Sequence, residues 1–131
     1  MPLNTVVEAK ASDFELVFEK FKEDNSGIKL LLFLADKDPS TDLSWCPDCN
    51  VAEPVIYKKL SASASDVAIL KAFVGDRPTW RNPSHPWRVD PRFKLRGVPT
   101  LIRWENDTIT GRLEDDEAHI GSKIDALLAG N

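Results

Sequence analysis

The chain has 131 residues, 42% hydrophobic and 29% charged, which is enough apolar surface for one globular domain across residues 1–131 without disulfide staples. Its formal net charge is −4. A nucleic-acid binder or a reader of anionic membranes needs a basic balance, so the charge argues against both.

Met1 to Lys10 has no apolar core behind a basic start, and so does not read as a secretory signal. A short strand is expected over Asn4 to Val7. Ser12-Asp-Phe-Glu15 has the form of a capping box, with Ser12 as the cap and Glu15 reaching back. Phe14, Val17, Phe18 and Phe21 then recur at helical spacing, which predicts a helix from about Asp13 to Asp24. Asn25-Ser-Gly27 stops it.

Ile28 to Ala35 is a short, nearly unbroken apolar run, the pattern of a strand buried on both faces. It is far too short to cross a bilayer, and a cytosolic location is the default expectation. A polar loop, Asp36 to Ser44, leads to Cys46-Pro-Asp-Cys49. Pro47 suits a first helical turn, and Val51, Val55 and Leu60 extend a helix that Pro54 should kink.

Ser61 to Ser65 is a linker of small residues. Asp66 to Gly75 contains a second buried strand. Asp76 to Pro91 carries Pro78, Pro83, Pro86 and Pro91 and reads as a structured loop or a short helix with turns. Thr100 to Trp104 is a third strand, Asn106-Asp107 a turn, and Thr108 to Leu113 the second strand of a hairpin. Ile120, Ile124, Leu127 and Leu128 set an apolar face on a last helix, roughly Asp115 to Ala129. Early alternation of helix and strand implies a parallel βαβ unit, and the hairpin adds an antiparallel edge. The fold class is α/β.

Both cysteines lie in the C-x-x-C. Such a pair can bind metal, form a structural bridge or exchange disulfides. Two thiols alone do not close a zinc site, and His85 and His119 are not at zinc-finger spacing. No metal site is expected, and both histidines read as surface or loop residues without a chemical role. A stable structural disulfide is out of place in a cytosolic chain. Cys46, at a helix start, meets free amide groups and the positive end of the helix dipole, so its thiolate is stabilised below the value of about 8.5 for a free thiol. Cys49, one turn into the helix, should be more buried and less acidic. That asymmetry suits attack by Cys46 and resolution by Cys49.

Trp45-Cys-Pro-Asp-Cys49, followed by Ala52-Glu-Pro54 and by Gly97-Val-Pro-Thr100 before a strand, resembles the thioredoxin superfamily. More closely it resembles the Clot-like thioredoxins of the thioredoxin domain-containing protein 17 type. Their extended loops match Asp36 to Ser44 and Val74-Gly75 … Pro78 … Trp80 … Pro83 … Arg88. The resemblance implies a thioredoxin-like fold: a central mixed β-sheet flanked by helices, with extended loops near the active site. It implies Cys46 as nucleophile, Cys49 as resolving thiol, a cis bond at Pro99 that brings the Val98 backbone beside Cys46, and Pro54 as the helix-kink proline. It implies no bound cofactor; electrons would come from NADPH through a flavin-containing thioredoxin reductase.

Trp45, Pro47, Asp48, Val98 and Pro99 are the expected substrate contacts. The middle pair Pro47-Asp48 departs from the Gly-Pro of ordinary thioredoxin, and Leu30 to Leu34 lacks the acid that ordinary thioredoxin buries there. Asp48 is either a partial substitute for that acid or an acid favoured by the helix dipole, and its charge opposes the Cys46 thiolate. Trp45 is either an exposed contact surface or packing over the loop. Glu53 either approaches the Cys49 sulfur or is a solvated or capping residue.

Arg77, Arg81, Arg88 and Arg92, interleaved with Trp80 and Trp87, form either a rim around the site or, for the tryptophans, anchors to the core. The resemblance implies that long loops exclude large thioredoxin clients and leave small disulfides such as cystine, nitrosothiols, persulfides and a few proteins. The alternative is a redox-gated adaptor that holds a protein partner. A glutaredoxin-like enzyme is disfavoured by the absence of C-P-Y-C. A monomer is the default, because no large exposed apolar helix face stands out.

Overall fold

The computed structural model describes residues 3–130. Five strands form one sheet: β1 (Leu3–Lys10), β2 (Ile28–Leu34), β3 (Val67–Phe73), β4 (Thr100–Glu105) and β5 (Thr108–Leu113). Their order is β1-β3-β2-β4-β5. β3 runs parallel to both β1 and β2, β4 runs antiparallel to β2, and β5 closes the hairpin. The βαβ unit and the antiparallel edge are therefore as the sequence pattern implied. β1 is longer than expected, because pairing with β3 continues to Lys10↔Phe73.

Leu30 to Leu34 are all buried, as an apolar run sandwiched between helical layers must be. On one face α1 (Phe14–Asp24) brings Phe14 and Phe18 against Phe33, Trp87, Phe93 and Trp104. Side chains alternate along a strand, so Arg103, next to Trp104, points to the other face. There its guanidinium donates to the carbonyls of Leu127 and Leu128 at 2.9 and 2.7 Å, capping the end of α5 (Gly121–Ala129). α2 (Pro47–Ser61) packs against α5 on that side.

Three local expectations are corrected. Asp13, not Ser12, precedes α1; its carboxylate accepts the Lys10 amide at 2.7 Å and holds the turn instead of capping the helix. Glu15 then pairs with Arg92 rather than reaching back. The last helix begins at Gly121, not Asp115. Glu114 to Glu117 form a turn instead, with the Glu114 amide donating to Glu117 Oε1 at 3.3 Å and the Ala118 amide to the Glu114 carbonyl at 2.8 Å. The buried face of α2 is Cys49, Ala52, Glu53, Ile56 and Leu60, while Val51 is exposed. The helix runs on through Pro54, whose ring lies on its exposed side.

The proline-rich segment resolves into two short helices, α3 (Arg77–Arg81) and α4 (Pro86–Val89). Trp80 and Trp87 are buried, so they anchor the segment to the core. Arg88 lies over the Trp80 ring at 3.8 Å and donates to the Trp80 carbonyl at 2.8 Å. Arg92 is held by Asp90 and Glu15.

His85 is corrected most. It is only 3% exposed, between Trp80 and Trp87. Its Nδ1 accepts the Trp87 amide at 3.1 Å, which leaves Nε2 to donate to the Val74 carbonyl at 2.8 Å. Burial holds its pKa below the ordinary histidine value; the Val74 bond opposes this and Arg88 adds to it. The folded chain thus binds the proton less readily than the unfolded chain. The resulting stability is full above about pH 6.5, the unfolded value, and is lost as pH falls through the lower folded value. Urea unfolding of wild type and His85→Gln at pH 7.5 and pH 5 should show the larger acid loss in wild type. Equal losses would contradict this assignment.

Candidate active site

α2 starts at Pro47, whose missing N–H costs nothing in a first turn. Cys46 is its N-cap residue, and the Cys49 amide donates to the Cys46 Sγ at 3.3 Å. The Cys46 carbonyl takes the Cys49 and Asn50 amides. The sulfur of Cys46 therefore sits where the first turn presents unpaired donors.

Neither cysteine is bridged. Cys46 is 7% exposed and Cys49 1%. The Cys46 pKa is lowered to about 7. The hydrogen bond from the Cys49 thiol is the largest cause and outweighs burial; the Cys49 amide helps, and the charge of Asp48 opposes. Cys49 is pushed far above the ordinary thiol range by the same thiol bond and then by burial. The contest between the helix start and Asp48 thus goes to the helix start and the Cys49 donor.

Opposite the thiols, the Val98–Pro99 peptide is cis. The Cys46 thiol approaches the Val98 carbonyl at 3.5 Å, so Val98 lies beside the sulfur as expected. Thr100 Oγ1 donates to the Gly97 carbonyl at 2.8 Å and fixes this corner. Asp48 is exposed at the mouth.

Trp45 packs over the loop, one of the two readings the sequence left open. It is partly exposed, and its Nε1 donates to the Gly75 carbonyl at 3.0 Å. Arg77 lies over its ring at 5.2 Å and donates to its carbonyl at 3.0 Å.

Two groups have roles that the sequence reading did not give them. Asn50 locks the approach to the motif: its Oδ1 accepts the Ser44 amide and its Nδ2 donates to the Ser44 carbonyl, both at 2.9 Å. Ser44 Oγ in turn accepts the Cys46 amide at 3.1 Å. Glu53 is the second. It is only 9% exposed, neither solvated nor capping. Its carboxylate meets Lys71 Nζ at 3.2 Å and Lys37 Nζ at 3.0 Å. Lys71, 7% exposed, also faces Tyr57. Burial pulls the Lys71 pKa down, but Tyr57 and Glu53 together carry it above the ordinary lysine value. A signal was available: Lys71 stands alone in the apolar strand Val67–Phe73, and a buried cation requires a partner.

Among the described residues, no three His, Cys, Asp or Glu groups converge as a metal site. No helix is long and apolar enough to cross a membrane.

A family model described as the thioredoxin domain of thioredoxin domain-containing protein 17-like proteins matches residues 8–130. The chain is 57% identical over 130 residues to the thioredoxin-like protein Clot of Oryza sativa subsp. japonica, covering 93% of this chain and 94% of that one. It is 32% identical over 100 residues to thioredoxin domain-containing protein 17 of Mus musculus, covering 76% and 79%. Among solved structures, reduced Schistosoma mansoni thioredoxin pre-protein superposes with a TM-score of 0.62 at 14% identity, over 96% of this chain and 97% of that one. That likeness establishes the thioredoxin-like fold.

Proposed function

Because the chain belongs to the thioredoxin domain-containing protein 17-like thioredoxin family, we propose that it is a thiol–disulfide oxidoreductase that reduces small and selected disulfides. The observation that carries the reading is the asymmetry of the pair: one thiol lowered to about 7 at a helix start, the other raised and buried one turn later.

The Cys46 thiolate attacks one sulfur of a substrate disulfide. That S–S bond breaks, a mixed disulfide forms, and the first product leaves as a thiolate that takes a proton. Cys46 then carries no charge. The hydrogen bond that held Cys49 protonated and the charge of the Cys46 thiolate are gone; burial and the Asp48 carboxylate still oppose its ionisation. Cys49 loses its proton and attacks Cys46 Sγ, releasing the second product. Two electrons have passed to the substrate, and the pair is left as a Cys46–Cys49 disulfide. NADPH, through a flavin-containing thioredoxin reductase, returns it to the dithiol. The chain itself needs no bound cofactor for these steps. A reducing compartment, the cytosol in this reading, keeps the pair ready.

In the substrate complex, the Val98 backbone pairs with an extended segment flanking the disulfide, in the manner of an added strand. Trp45, Pro47, Asp48 and Pro99 line the approach. The loops 36–44 and 76–92 bound it and favour small disulfides such as cystine over large protein clients.

NADPH consumption with thioredoxin reductase, run in parallel on cystine and insulin, tests this. Turnover of cystine with little turnover of insulin is expected. Comparable insulin turnover would overturn the narrow range, and no turnover of either would overturn the reductase reading.

A further inference from the structure

The four indoles divide sharply. Trp80, Trp87 and Trp104 are buried, while Trp45, next to the nucleophile, is partly exposed. A free indole at such a place would swing between rotamers and adapt to many partners. This one is held at two points from the segment just after β3, the Gly75 carbonyl on Nε1 and the Arg77 guanidinium over the ring, while an Arg77 N–H also donates to the Trp45 backbone carbonyl.

The anchor is itself fixed. Gly75 N–H donates to Asp36 Oδ1 at 3.0 Å, and its carbonyl also accepts the Asp36 amide at 3.2 Å. Gly75 has φ +100°, and a Cβ there would lie 2.9 Å from Thr79 Cγ2. A glycine is needed at this point for the carbonyl to face Trp45. Arg77 follows Asp76, whose carboxylate accepts the Thr79 amide at 3.0 Å and sets the start of α3.

Arg77 is exposed, and among the described residues it makes no ion pair. An exposed arginine without a carboxylate is normally mobile, and ordering it costs side-chain entropy. Here both of its contacts go to Trp45. Trp45 also lines an open groove of about 630 Å³, together with Pro39 and Leu43. Ser44 and Trp45, the two residues that precede Cys46 in the chain, are both in its lining.

From this geometry we infer that Arg77 is a specificity-determining residue that acts through Trp45. It fixes the indole so that the wall beside Cys46 stays rigid. A small disulfide enters without moving the ring. A protein disulfide brings flanking chain on both sides and needs the ring to turn. The inference rests on the reductase reading and names the residue that narrows its substrate range.

The test uses the full chain as wild type, Arg77→Ala, Arg77→Lys, Trp45→Ala and the Arg77→Ala/Trp45→Ala double variant. kcat/KM is measured for insulin and for cystine in the reductase-coupled assay. Arg77→Ala should raise the insulin-to-cystine ratio by about two- to fivefold, the factor an exposed cation–π contact carries. Arg77→Lys, which keeps the charge but not the planar fork, should restore only part of the wild-type ratio. In the Trp45→Ala background, Arg77→Ala should change nothing further. Acrylamide quenching, which reads Trp45 because the other indoles are buried, should increase in Arg77→Ala.

An unchanged ratio in Arg77→Ala, with cystine still reduced, would overturn the inference and leave the reductase reading standing. So would an equal rise of the ratio in the Trp45→Ala background. Absence of turnover in wild type would sink the reductase reading, and the inference with it.

Discussion

Cys46→Ser should lose disulfide reduction by on the order of 1,000-fold or more, the scale seen when a nucleophile is removed. The reason is specific to this position. The Cys46 sulfur takes the Cys49 amide at 3.3 Å and has its pKa lowered to about 7, so near neutral pH about half of it is thiolate. A serine hydroxyl at the same cap is not ionised there. Cys49 cannot substitute: at 1% exposed it is closed to a substrate disulfide, and burial alone still holds its thiol above the ordinary range.

Cys49→Ser should fail differently. It retains attack by Cys46 but not resolution, so an activated disulfide should accumulate as a mixed disulfide on Cys46. Mass spectrometry of the intact chain would read this directly. A mixed disulfide trapped on Cys49 in Cys46→Ser, or equal activity of the two variants, would reverse the roles assigned here.

The largest effect on stability is expected at Glu53. Its carboxylate holds Lys71 at 3.2 Å and Lys37 at 3.0 Å. In Glu53→Leu, Lys37 can turn to water, but Lys71 is nearly sealed. Glu8, largely exposed at 3.3 Å, is a weak replacement. Removing one partner of a buried pair leaves a charge without compensation, at a cost of about 3 kcal/mol. Glu53→Leu/Lys71→Met, which removes both charges, should recover most of that loss. Urea midpoints of the two variants test the point. A single variant as stable as wild type would mean that Glu53 leaves Lys71 solvated and that the pairing contributes nothing.

Where the sequence patterns were strong, they placed the elements closely. β2, β3 and the β4–β5 hairpin follow from apolar runs bounded by turn residues. Asn106 and Asp107 both take positive φ, 51° and 61°, as a tight hairpin turn requires. The asymmetry of Cys46 and Cys49 was legible because it depends on local helix geometry. Features that depend on distant partners were not. Glu53 on α2 and Lys71 on β3 meet only once the helix lies on the sheet. His85 looked like a loop residue because its burial comes from Trp80 and Trp87 folding back over it. The acidic run Glu114 to Glu117 hid the true start of α5, since the apolar spacing of Ile120, Ile124, Leu127 and Leu128 does not mark where the helix begins.

The central claim, one poised thiolate beside one protected thiol, is tested most directly by alkylation. The dithiol is treated briefly with iodoacetamide across pH 5 to 10, and each cysteine is quantified by peptide mass spectrometry. Cys46 should react with a half-maximum near pH 7, the value its surroundings give it, while Cys49 stays unmodified throughout. Alkylation of both cysteines with one common midpoint near that of a free thiol, or earlier reaction at Cys49, would contradict it.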